Sequence, residues 1–248
     1  MRTAGIDLST RQRKTAVAVI DWGEDSAEVV ELSVGGHDVP ALCRVIEAVD
    51  KTGIDCPFGW PNKFVDIVSA HRDGHRPDVP DDIAGRTDVS LRTTDRYVRD
   101  KTTVRPLAVA ADRIGATAVL CAGILAHLQE SGIEVDRSGV TGRVVEVYPA
   151  AALSQWDFTH TGYKERKNAD TRSGLVGDIQ EEFGWLDFGS HADLCRTSDD
   201  ALDAVLCAVI ARLQATRRVL PLPREHAGVA AVEGWIAVPD GRLTSFPS

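Results

Sequence analysis

Three apolar runs near the start of the chain constrain its fold more than any other feature. Residues 3–8, 14–22 and 26–34 are rich in alanine, valine and isoleucine, and short polar segments separate them. Runs of this length and composition, bounded by polar turns, are typical of β-strands. Because strands joined by such short turns pair in opposite directions, we predict an antiparallel meander.

The rest of the chain alternates helical patterns with single strands. We predict an amphipathic helix at 38–49 with Asp38 as its N-cap, and a short strand from residue 51. Residues 74–105 have weak periodicity and are predicted to form a long loop. The following segment, residues 106–132, has apolar residues on nearly every side, which predicts a buried helix. The remaining predictions are helices at 61–74, 106–132, 170–183 and 199–216, a strand at 142–149, and an edge strand or cap in the tail.

This order of elements predicts an α/β fold. A meander extended by later strands through helical crossovers forms a mixed sheet, in which the first three strands are antiparallel and the later ones parallel, with helices on both faces. The order fits the ribonuclease H-like architecture. We expect a single domain over residues 1–248, with a helical and loop insertion at about 61–132.

Composition excludes several classes of protein. The chain is 43% hydrophobic and 26% charged, close to the average of globular proteins. No apolar run approaches the roughly 18–20 residues of a membrane span, and the N-terminus lacks a secretory signal pattern. The five cysteines are scattered and form no CxxC pair, which argues against a zinc ribbon or a disulfide scaffold. We therefore expect a cytoplasmic protein without a membrane partner.

Acidic residues interrupt three of the predicted strands. Asp7 and Asp55 each follow the same dipeptide, in "GIDLS" and "GIDCP", and Glu146 lies within "VVEVYP". Taken singly, each has an ordinary explanation, as an exposed strand position or as a residue that caps a turn. Strand ends in α/β sheets are nevertheless where binding sites gather.

The last long helix also carries acids. Asp199 and Asp200 suit the N-terminus of a helix, where carboxylates cap the backbone and complement the dipole. Asp203 lies among apolar residues and shares a helix face with Asp200, three positions away.

Carboxylates that converge in this way repel one another, and a divalent cation relieves the repulsion. Oxygen-only ligands favour Mg²⁺ or Mn²⁺. Two such ions about 3.5–4 Å apart can activate a water and stabilise the leaving oxygen of a phosphodiester. We therefore predict a site for one or two Mg²⁺ or Mn²⁺ ions. The predicted ligands are Asp7, Asp55, Glu146, Asp200 and Asp203.

The charge distribution is mixed. A net charge of −9 is unfavourable for a nucleic-acid-binding protein, whose affinity usually comes from cations on phosphates. Residues 92–105 and 163–172, however, each hold several lysines and arginines. The ordinary interpretation of such runs is a solvated surface, and the alternative is a local basic patch.

Seven segments together resemble the DUF429 family, which is described as predicted nucleases of the ribonuclease H-like superfamily. They are "GIDLS", "IDCPFGWP", "RTTDRYVR", "EVYPAAAL", "KNADTR", "DDALDAVLCAVIA" and "EGWIAVP", and the resemblance runs from about residue 3 to residue 239. The resemblance implies a ribonuclease H-like fold and a nuclease activity in which Asp7, Asp55 and Asp203 are catalytic. Asp200 and Asp203 also resemble the last-helix acids of Holliday-junction resolvases, which act as dimers. A homodimer is therefore one expectation for this chain.

The same resemblance implies residues that contact nucleic acid, either DNA or RNA. The candidates for phosphate binding are Arg92, Arg96, Arg99 and Lys167. Two aromatic residues, Tyr97 and Trp60, could stack on bases, and packing in the core is the other interpretation of both.

Two further functions stay open on the sequence alone. "GIDLS" resembles the first phosphate-loop strand of actin-like sugar kinases and ATPases, but those proteins duplicate the fold and this sequence has no second copy. A non-catalytic binding or scaffold protein would fit the acidic charge, and would also fit an aspartate at position 55, where many ribonuclease H-like proteins have glutamate.

Overall fold

A computed structural model describes residues 1–110 and 112–247. Seven strands form one mixed sheet, in the spatial order β6-β3-β2-β1-β4-β5-β7. The strands are β1 (Arg2–Asp7), β2 (Ala16–Trp22), β3 (Ala27–Val34), β4 (Lys51–Asp55), β5 (Val144–Val147), β6 (Leu186–Asp187) and β7 (Ile236–Ala237).

Ten α-helices connect and cover these strands in the described part of the chain. They are α1 (Val39–Glu47), α2 (Asn62–Arg72), α3 (Ile83–Ser90), α4 (Thr93–Lys101), α5 (Gly115–Glu130), α6 (Pro149–Gln155), α7 (Ala169–Glu182), α8 (Ala192–Thr197), α9 (Asp199–Ala215) and α10 (Ala227–Glu233).

The predicted meander is confirmed. Strands β1, β2 and β3 pair antiparallel, whereas β4 pairs parallel with β1, β5 with β4, and β7 with β5. The short β6 adds a parallel edge beside β3. The chain therefore has the mixed α/β sheet that its order of apolar runs predicts.

Helices cover both faces of the sheet because successive strand residues point to opposite sides. On one face, α9 packs with α6 and α7 in a core that includes Leu153, Ile179 and Val205. On the other face, α1 and α5 pack against strand residues such as Ile6 and Ile54. Helix α9 is buried from Ala201 to Ala211, and Asp203 is among its buried residues.

Two predictions between β4 and β5 are wrong. Residues 74–105 are not one long loop, because they contain α3 and α4. Helix α4 escapes pattern recognition because it buries Thr94 and Asp95 beside Val98, so its inner face is polar. Helix α5 begins at Gly115 and not at 106, and it is buried on one face only: Val119 is 63% exposed, whereas Ile124 is fully buried.

The sequence patterns also miss several short elements. Helices α6, α8 and α10 and strand β6 have seven residues or fewer, which is too short for a periodic pattern to emerge. Pro149 does more than end a strand, since it occupies the first turn of α6, where a proline costs no hydrogen bond. Among the described helices, none has both the length and the apolar character that a membrane crossing requires.

Candidate metal centre

The repeated tripeptide Gly-Ile-Asp places two carboxylates side by side. Strands β1 and β4 are parallel neighbours, and their register pairs Gly5 with Gly53, Ile6 with Ile54, and Asp7 with Asp55. Strand alternation turns both isoleucines into the core under α1 and α5, and turns the glycines and aspartates towards α9. Both aspartates end their strands at the same edge of the sheet, as the sequence predicts.

The glycines of the same tripeptide bring α9 close to the sheet. A Cβ atom at Gly5 would overlap the backbone of α9 at Ala204 and Ala208, and one at Gly53 would overlap the carbonyl oxygen of Cys207. Only a residue without a side chain allows this approach. The sequence patterns draw attention to the aspartates of the two tripeptides and do not reveal this role of the glycines.

Helix α9 supplies the third carboxylate. Ser198 caps the helix by accepting a hydrogen bond from the backbone N–H of Ala201, and Asp203 follows within the second turn. Oxygen atoms of Asp7, Asp55 and Asp203 all lie within 4.8 Å of one another, so this cluster could hold a metal ion. The three residues predicted to be catalytic are therefore brought together from elements at opposite ends of the chain.

Two residues that no sequence pattern singles out contact Asp203, which is only 1% exposed. The Tyr163 hydroxyl donates a hydrogen bond to Oδ1 at 2.8 Å, and Lys164 Nζ lies 2.6 Å from Oδ2. Both lie in the connection between α6 and α7. In the sequence Lys164 is one member of a basic run, and no local pattern distinguishes it from its exposed neighbours.

Burial and mutual repulsion disfavour the charged forms of the clustered acids. Burial is the main cause that raises the pKa of Asp7 well above its usual range, and the charges of Asp203 and Asp55 add to it. Burial also raises the pKa of Asp55 to about 7, against the opposing effect of Lys164. The charge of Asp203 in turn raises the pKa of Lys164. The clustered carboxylates are therefore stabilised by nearby positive charge, and the ammonium group of Lys164 supplies part of that charge.

Glu146, a predicted metal ligand, lies outside the cluster. Its register partner on β4 is Ile54, so its side chain points to the face opposite to Asp7 and Asp55. Its two oxygens accept hydrogen bonds from Arg92 at 2.7 and 2.8 Å, and one also accepts from the backbone N–H of Phe58. Burial raises its pKa even though Arg92 opposes the effect.

Arg92, a predicted phosphate ligand, is 1% exposed. Its guanidinium donates to both oxygens of Asp95, to both oxygens of Glu146 and to the carbonyl oxygen of Glu233. These bonds use all five N–H groups of the side chain. Arg92 therefore lies in a buried ionic network, and a phosphate would have to displace one of these bonds to bind it.

Asp200, the other predicted ligand on α9, also lies outside the cluster of three. Its side chain is 19% exposed and pairs with Lys14 Nζ at 3.6 Å. Burial raises its pKa, with a smaller contribution from the charge of Asp199.

The other predicted nucleic-acid contacts lie at or near the surface. Arg96 forms an ion pair with Asp88, and Arg99 is exposed. The Lys167 side chain is 75% exposed and pairs with Glu165 at 3.0 Å. The ring of Tyr97 packs against Trp235 with its centroid 4.9 Å away, and Trp60 is half-buried.

A cavity of about 260 Å³ opens over the acidic cluster. Asp7, Asp55 and Lys164 lie in its lining, and Glu146 and Arg92 reach it from the β5 side. Apolar residues of the segment between α4 and α5 and the ring of Tyr148 complete the walls. The carboxylates of Asp7 and Asp55 can therefore be reached from this cavity by a small group such as a phosphate.

The family model for "Protein of unknown function (DUF429)" matches residues 5–227. The chain belongs to the DUF429 family. The match covers both Gly-Ile-Asp tripeptides, Lys164 and α9, and it ends before the "EGWIAVP" segment, which is one of the seven that carry the resemblance. No curated protein and no solved structure matches the chain.

Proposed function

We propose that this DUF429 protein is a divalent-metal-dependent nuclease that hydrolyses phosphodiester bonds of nucleic acid. The observation that carries the proposal is the convergence of Asp7, Asp55 and Asp203 within 4.8 Å beside an open cavity. Three carboxylates at such distances are costly without a cation, since burial and repulsion already raise the pKa of two of them.

The donor set fits Mg²⁺ or Mn²⁺. All three residues offer hard carboxylate oxygens, which these ions prefer, and the cluster contains no histidine or cysteine. Such an ion, when bound, lowers the pKa of a coordinated water and polarises the phosphate. Asp7, Asp55 and Asp203 would hold it, and the hydrogen bond from Tyr163 fixes the orientation of the Asp203 carboxylate.

The reaction is the in-line displacement of the 3′-oxygen by water. A bond forms between the water oxygen and phosphorus while the bond from phosphorus to the 3′-oxygen breaks. The water loses a proton to solvent and the leaving oxygen gains one, so the products are a 3′-hydroxyl and a 5′-phosphate. The Lys164 side chain is half-exposed and lines the cavity, where its ammonium group would attract the anionic phosphate.

The arrangement of the sheet supports a ribonuclease H-like fold. An antiparallel meander extended by parallel strands through helical crossovers is the topology that the resemblance implied, and β1, β4 and α9 deliver the acids in the expected order. Exposed Arg99 and Lys167 are the best placed of the predicted phosphate contacts. A homodimer and a cytoplasmic location stay predictions.

Cleavage assays test this proposal. Purified protein with Mn²⁺ is incubated with single-stranded, branched and hybrid nucleic acids, and at least one should be cut. Asp7→Asn should abolish cleavage, whereas Asp178→Asn, an equal change on the exposed side of α7, should leave it unchanged.

Cleavage by Asp7→Asn at the wild-type rate would refute the assignment. Hydrolysis of free nucleotides without cleavage of any polynucleotide would favour the actin-like alternative. Failure to cut any substrate despite bound Mn²⁺ would favour a binding or scaffold protein.

A further inference from the structure

Lys164 differs from an ordinary surface lysine in how its backbone is held. Arg172, 1% exposed, donates from one nitrogen to the carbonyl oxygens on both sides of Lys164, those of Tyr163 and Glu165. The other nitrogens of Arg172 bond to carbonyl oxygens just before α9, at Arg196 and Thr197. One buried guanidinium thus ties the Lys164 loop to the segment that precedes Asp203.

Further contacts fix the same loop against α9. The backbone N–H of Glu165 donates to Asp199, and Glu165 itself adopts a positive φ of 69°, a conformation that costs free energy in a non-glycine residue. The Tyr163 hydroxyl bonds to Asp203 on one side, and Lys164 Nζ lies 2.6 Å from it on the other. The ammonium is therefore presented to the acidic cluster by a backbone that is anchored at several points.

The charge balance then limits how many cations the site can take. The three carboxylates carry a formal charge of −3, which Lys164 reduces to −2. One divalent ion brings the sum to zero. A second would bring it to +2, with the ammonium group in contact with one of the ligands, and both oxygens of Asp203 already have partners.

We propose that the site binds one divalent cation and that Lys164 supplies the positive charge that a second ion would otherwise provide. This inference rests on the proposed metal-dependent function. Lys164 is then a built-in cation that faces the phosphate from the Asp203 side of the cavity, and its position makes a two-ion arrangement unfavourable.

Mn²⁺ binding measured by titration calorimetry and electron paramagnetic resonance tests the proposal without an activity assay. The wild-type chain should bind one Mn²⁺. Lys164→Met keeps the length of the side chain and removes its charge, so it should bind the first ion about tenfold more tightly or better, as the repulsion between a divalent ion and an ammonium about 5 Å apart predicts even in water. The same variant should accept a second ion, visible as spin coupling between two Mn²⁺ ions.

Two variants control for loop damage. Arg166→Met removes one positive charge from the same segment at an exposed side chain, and it should bind one ion with wild-type affinity. Lys164→Arg retains the charge and should also bind one ion.

Two Mn²⁺ ions bound by the wild-type chain, or equal affinity in the wild type and Lys164→Met, would overturn the proposal while leaving the metal site intact. No Mn²⁺ binding by the wild type would overturn the proposed function along with it. A wild-type stoichiometry of two overturns the proposal even if Lys164→Met does not fold.

Discussion

Replacing Asp55 by asparagine should stabilise the metal-free protein at alkaline pH. Burial raises the pKa of Asp55 from 3.8 to about 7, so its ionised form is costly in the folded chain. At about 1.4 kcal/mol per pKa unit, and with Asp55 not fully sealed from solvent, we expect a gain of about 2–4 kcal/mol in the free energy of unfolding.

The sign follows from proton linkage. Below about pH 4 the carboxyl is protonated in both states and costs nothing. Between about pH 4 and about pH 7 the unfolded chain releases the proton while the folded chain keeps it, so folding stability falls as the pH rises. Above this window the loss is complete. The amide of the variant cannot ionise, so its advantage grows through the window and then levels off.

Urea denaturation in EDTA at about pH 4, 6 and 8 measures this difference directly. Saturating Mn²⁺ at about pH 8 should narrow or reverse the gap, since a ligand at 100 times its Kd adds about 2.7 kcal/mol to the protein that binds it. Asp178→Asn, at an exposed position, should leave the free energy of unfolding unchanged at each pH. A variant at residue 55 that is less stable than the wild type in EDTA at the highest pH would refute the reasoning.

Two other substitutions test how the site is supported, both by urea denaturation. Gly53→Ala should lower the free energy of unfolding by about 3 kcal/mol or more, because the new Cβ overlaps the carbonyl oxygen of Cys207 on α9. Gly123→Ala, on the exposed side of α5, should instead raise it by about 0.5–1 kcal/mol. Equal effects would contradict the close-packing argument. Arg92→Met should cost about 3–5 kcal/mol, since it leaves Glu146 buried without its partner; a cost below about 1 kcal/mol would show that the ionic network is not needed.

The first half of the sheet could be predicted because its signals are local. Strands β1 to β3 are largely apolar runs joined by short polar turns. Asp38 caps α1, which leads to β4, by accepting a hydrogen bond from the backbone N–H of Ala41, three residues away. Helix α4 could not be predicted, because long-range contacts hold it. Its first N–H group, at Thr93, donates to Glu233, and Arg92 before it pairs with Glu146 on β5.

The residues of the candidate site likewise differ in whether a local sequence signal reveals them. Asp7 and Asp55 share a tripeptide, and Asp203 interrupts an apolar helix, so each leaves a visible mark in the sequence. Strand alternation implies that Glu146 faces away from Asp55 once the register between β4 and β5 is known. No local sequence pattern reveals Lys164, because its position beside Asp203 depends on the Arg172 contacts that hold its loop against α9.

The central claim is that Asp7, Asp55 and Asp203 form a divalent cation site. Crystals grown or soaked with Mn²⁺ test it most directly, through the anomalous scattering of the metal. The account predicts a single peak coordinated by oxygens of all three carboxylates in the wild-type protein, and no peak there in Asp203→Asn. Full Mn²⁺ saturation without a peak between these residues, or with the metal bound elsewhere, would contradict it.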